Sequence, residues 1–148
     1  MIDHVWSVLC QSGAIDQKTN TISIFQVLET LTVIEAPEEG VTIPIPFEIF
    51  SLWIRSDEEV PSLGRMRVLY RQPQGEEETI LLFPVDLSKS MYHRTRLSAQ
   101  GLRLPVPGRY SFVIDLQLED SDTWQQVANL PLHVTFQVPE TPVAQDGS

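Results

Sequence analysis

The chain has 148 residues, 42% hydrophobic and 20% charged, with a formal net charge of −10. That length can bury a core without staples. Its single cysteine, Cys10, excludes an internal disulfide and suits a reducing compartment. An acidic balance repels phosphate backbones, no apolar stretch approaches the ~20 residues of a membrane helix, and the opening Met-Ile-Asp-His-Val-Trp lacks the basic segment of a signal peptide. The expectation is a cytoplasmic protein with neither a nucleic-acid nor a membrane partner.

Eleven prolines and seven glycines cut the chain into short segments, the spacing of a sandwich or barrel. Residues 4–11 read as a first strand and Asp16 to Asn20 as a turn. Residues 21–35 read as one long strand, with a bulge where the apolar phase shifts between Ile24 and Phe25. Ala36 to Gly40 is a loop. Residues 46–55 are apolar on both parities, which predicts a strand covered on both faces. Residues 65–72 alternate basic and apolar, and residues 78–84 form a strand ended by Pro84. Residues 88–100 fit alternation through Met91, His93, Thr95, Leu97 and Ala99 better than they fit a helical face.

The clearest signal is Gly108 to Glu119. Tyr110, Phe112, Ile114, Leu116 and Leu118 alternate with mostly polar residues, so one face of this strand is expected to be wet and one buried. A final strand over 124–138 contains Pro131, which would cost a ladder hydrogen bond at a central position, so an edge position or a bulge is expected there and this strand is the edge candidate. Residues 1–138 read as a single domain and 139–148 as a disordered tail. The fold class expected is an all-β, immunoglobulin-like antiparallel β-sandwich of about seven to nine strands.

Two short stretches carry resemblances. Pro107-Gly-Arg-Tyr110, opening the penultimate strand, resembles the Pro-Gly-x-Tyr that opens the corresponding strand of immunoglobulin-like sandwiches; the resemblance implies a tyrosine holding a corner through its hydroxyl. The cysteine pair of true immunoglobulin domains is absent. Val8-Leu9-Cys10 followed by Thr19-Asn-Thr-Ile-Ser-Ile-Phe-Gln-Val-Leu-Glu29 resembles small bacterial β-sandwich domains of unknown function, which implies the fold and no activity.

No nucleophile elbow occurs. Cys10 as a nucleophile would need a base beside it, and His4 stands six residues away along the strand. His4, His93 and His133 are scattered and match no metal-binding spacing. The expectation is a non-enzymatic protein with no cofactor. The arginines are more informative. All eight lie between Arg55 and Arg109. Arg65, Arg67 and Arg71 share one parity of a strand, as do Arg94 and Arg96 on another, so five guanidiniums would share a surface if those strands were neighbours. The lead reading is an interaction or structural module that presents this arginine face and an exposed sheet edge to a protein partner or a second copy. The alternative is a small-ligand or carbohydrate binder using Trp124 and the acidic turn Glu119-Asp-Ser-Asp122, with calcium as a possible aid.

Overall fold

A computed structural model describes residues 1–35 and 40–137 of the chain. Among them eleven strands form and no helix: β1 (Ile2–Ile15), β2 (Ile22–Val27), β3 (Thr30–Ile34), β4 (Thr42–Ile43), β5 (Phe47–Arg55), β6 (Ser62–Arg71), β7 (Glu77–Leu87), β8 (Tyr92–Ala99), β9 (Leu102–Arg103), β10 (Gly108–Leu118) and β11 (Gln125–Gln137). Sheet A has the order β2-β1-β5-β8 and sheet B the order β3-β11-β10-β6-β7, while β4 and β9 pair only with each other. All pairings are antiparallel except β3 beside β11. The fold is an immunoglobulin-like β-sandwich. Its first edge strand is divided between the two sheets as β2 and β3, and β1 is an additional strand slotted between β2 and β5. Nine strands build the sheets; the two-residue pair raises the count above the seven to nine expected.

The core fills the space between the sheets. Trp53, Ile49 and Phe47 from β5 meet Tyr110, Phe112 and Ile114 from β10, all nearly or fully buried. Trp53 has no exposed surface, and its indole N–H donates to Thr95 Oγ1 at 3.2 Å, which satisfies the one polar atom the burial would strand. The corner implied at Tyr110 is present: its hydroxyl donates to the Val106 carbonyl at 2.6 Å and accepts from the Val106 N–H at 3.3 Å.

Several expectations need correction. Residues 21–35 are two strands in different sheets rather than one bulged strand. Gln26, near the end of β2, adopts a φ of 55°, and just past that strand the Leu28 N–H donates to the Leu9 carbonyl as the chain crosses. Pro84 does not end β7, which runs on to Leu87. Because β7 is an edge strand, a missing N–H there is tolerated. The final strand is not the edge, since β3 lies outside it. That coverage begins only at His133, whose N–H donates to Glu29. Pro131 shares the parity of His133, so its missing donor falls just before β3 starts. The wet face predicted for 108–119 is also covered: Ser111, Asp115 and Gln117 are buried, because β10 is the middle strand of five and its neighbours' long side chains fold across it. The expected tail at 139–148, residue 138 and most of the expected loop at 36–40 lie outside the described residues.

Candidate functional site

The five arginines do not share a surface. β6 and β8 belong to different sheets. Arg65, Arg67 and Arg71 project from the outer face of sheet B, and Arg94 and Arg96 from the outer face of sheet A.

On sheet A the two arginines hold the molecule's own chain. β1 pairs with β5 only as far as Cys10, and with β2 from Cys10 onward. Its far half leaves β5 and, with β2, lies as a two-stranded arm over the outer face. There Gly13 stands opposite Ile24 of β2 and has no partner on β5. Its N–H instead donates to Glu48 Oε1 at 3.2 Å, and its carbonyl accepts from Arg96 Nη2 at 3.3 Å. Arg96 also donates through Nε to Glu48 Oε2 and through Nη2 to Oε1 at 2.9 Å, and Ser98 Oγ donates to Oε2 at 2.7 Å. Arg94 reaches Asn20 at the arm's tip. The arm and the Arg96 guanidinium, 5.1 Å from the ring centroid, leave Phe50 with no exposed surface. This is why β5 reads apolar on both parities. The Arg96 hydrogen bond, aided by Ser98 and Gly13 and opposed by burial, holds the Glu48 carboxyl down to about 2. Cys10 is fully buried beside this cluster, and burial first and the Glu48 charge second push its thiol above the usual range. Such a thiol is a weak nucleophile.

Sheet B is arranged differently. Gln117 Oε1 accepts from Arg65 Nε at 2.9 Å and from Nη2 at 2.5 Å. Arg67 Nε donates to Asp115 Oδ2 at 2.9 Å. Both guanidiniums lie over Trp124, with Arg67 at 4.4 Å and Arg65 at 5.5 Å from the ring centroid. Register explains the grouping: Arg65 stands opposite Gln117 and Arg67 opposite Asp115, so the partners are cross-strand neighbours. Arg71 pairs with Glu77 at 2.8 Å on the exposed surface. A cavity of about 370 Å³ adjoins the stack, lined by Arg65, Gln117, Glu119, Ser121 and Asp122 among others.

Arg65 and Arg67 of the expected arginine face and the Trp124–acidic turn, weighed from sequence as rival sites, are thus one place. One face of the Trp124 ring is taken by Arg67. Among the described residues no three His, Cys, Asp or Glu side chains converge to hold a metal ion.

One polar chain went unseen in the sequence. His4 Nε2 and Ser7 Oγ share a hydrogen bond of 2.7 Å, and Ser7 and Ser51 share one of 2.6 Å. Residues three apart on a regular strand face opposite ways, but the register of β1 against β5 shifts between His4 and Trp6 and brings the pair together. The His4 ring meets Trp53 edge-on at 5.1 Å, and its partial burial holds its pKa below the usual histidine value. His133 is exposed on the outer face of sheet B, as its parity implied. No helix among the described residues is long and apolar enough to cross a membrane.

No protein-family model and no curated protein matches the chain. Among solved structures it is similar to a family 123 glycoside hydrolase from Clostridium perfringens, described for glycolipid glycan hydrolysis, at 8% identity and a TM-score of 0.47. The match covers 90% of this chain and only 27% of the hydrolase. It is also similar to the CooA pilin subunit of enterotoxigenic Escherichia coli, at 12% identity and a TM-score of 0.31, over 89% of this chain and 97% of the pilin. Likenesses at this level carry no functional argument.

Proposed function

We propose that the protein is a non-catalytic interaction module of the cytoplasm and that its contact surface is the outer face of sheet B, centred on Trp124, Arg67 and Arg65. The observation that carries this reading is the ordered stack. Arg67 is fixed by Asp115 and lies 4.4 Å from the Trp124 centroid, and Arg65 is fixed by Gln117. Tryptophan and arginine dominate the energetics of protein contacts. Side chains already held in place lose less entropy on binding. The stretch of β11 before His133, uncovered by β3, adds an open edge beside the face, where a partner or a second copy could extend the sheet.

Peptides selected from a random displayed library on the full chain test the reading. Binders should lose about tenfold or more in affinity on Trp124→Ser and on Arg67→Gln. A library that yields no binder, together with a chain that stays monomeric in light scattering at high concentration, would refute it.

A further inference from the structure

We infer that the outer face of sheet B takes an extended, carboxylate-rich protein segment laid along β10. The inference rests on the interaction-module reading and adds the chemistry of the partner.

The first ground is charge. The three inner strands of sheet B, β6, β10 and β11, hold four arginines (Arg65, Arg67, Arg71, Arg109) and a single carboxylate, Asp115. They contribute +3, which Glu77, Glu78 and Asp86 of β7 balance over the sheet as a whole, in a chain whose net charge is −10. At about 0.1 M salt the Debye length is ~10 Å, so a ligand along β10 feels these arginines and, at the Arg65 end, also Glu119 and Asp122, which line the cavity beside it.

The second ground is how each charge is met. Arg67 is neutralised by Asp115 and Arg71 by Glu77. Arg65 is gripped by the neutral amide of Gln117, which takes its Nε–Nη2 edge. The grip orients the guanidinium, cancels none of its charge and leaves Nη1 free for an incoming carboxylate. Arg109 takes part in none of the three ion pairs among the described residues.

The third ground is spacing. Arg65 stands opposite Gln117, and Arg71 stands opposite Ser111, next but one to Arg109. The guanidiniums without an ion-pair partner therefore sit at the two ends of β10, eight residues or about 26 Å apart at ~3.3 Å per residue. No small carboxylate spans that distance, whereas an extended peptide of about nine residues does. Leu82 stands opposite Arg67 on β7 and is 52% exposed. It gives an apolar side chain between the acidic ends a place to rest.

A fluorescent nonapeptide with two glutamates at each end of an uncharged, leucine-containing middle is the probe, read by anisotropy on the full chain. Its glutamine counterpart should bind about tenfold more weakly or worse. Arg65→Gln and Arg109→Gln should each weaken binding about fivefold, and raising the salt to about 0.5 M should weaken it further. The control is Lys18→Gln with Lys89→Gln, which makes the same charge change as the arginine pair outside these strands and should shift affinity less than about twofold. Absent binding, an equal loss in the lysine control, or tighter binding of a single-stranded oligonucleotide would each overturn the inference. Library binders that need Trp124 but show no acidic preference would overturn it too, while leaving the module reading intact.

Discussion

Glu48 is a carboxylate buried beneath the arm on the outer face of sheet A, with three donors aimed at it: Arg96, Ser98 and the Gly13 N–H. Its folded pKa of about 2 lies below the ordinary glutamate value near 4.3. A depressed folded pKa gives stability that is complete above the unfolded value and is lost as the pH falls from about 4.5 toward about 2. Arg96 is 44% exposed, so solvent screening trims the contribution to about 1–2 kcal/mol. Denaturant midpoints measured against pH should show this acid limb, and Glu48→Gln should flatten it. Gly13 is the other sensitive residue of the arm. A Cβ there would stand 2.5 Å from the Phe50 ring, so Gly13→Ala should destabilise by about 1–3 kcal/mol in denaturant titration. Neither residue stood out in the sequence. Glu48 is one polar position in an apolar run, and the residue that explains it, Arg96, lies 48 positions away.

At the scale of strands, sequence and structure agree where burial has a period. Alternation at 92–99 and 108–118 gave strands, and Thr95 and Leu97 face inward as that alternation requires. Agreement failed where the chain changes sheets. Nothing in Ile24-Phe25-Gln26 distinguishes a bulge from a crossing, because the difference lies in which strand receives the next hydrogen bond. The Pro-Gly-Arg-Tyr turn was legible because its chemistry is local: Tyr110 bonds to a backbone four residues back. Tyr110→Phe keeps the ring, which packs against Tyr70 at 5.7 Å between centroids, and removes only the hydroxyl. It should cost about 1–2 kcal/mol, read as a lowered midpoint with an unchanged denaturant slope.

Across the molecule, both sheets contribute to one continuous apolar core. Equilibrium unfolding is therefore expected to be a single transition, with tryptophan fluorescence from Trp53 and far-ultraviolet dichroism coinciding. Two separated transitions would divide the chain into units that the shared core does not suggest. The acid experiment calls for dilute protein, since the sequence pI is about 4.6 and low net charge promotes association.

The sequence by itself determined that the protein is an all-β sandwich, because a two-residue rhythm of apolar side chains is a local property that only pleated strands satisfy. It also determined that the arginines would stand on strand faces, because parity is counted along one strand. Strand order belonged to the tertiary structure alone, and with it the fate of each charge. Pairing between positions some fifty residues apart sent Arg96 to Glu48 and the covering arm, and set Arg65 and Arg67 over Trp124. A guanidinium's partner is chosen by whichever strand lies alongside, a choice made by the packing of the whole core.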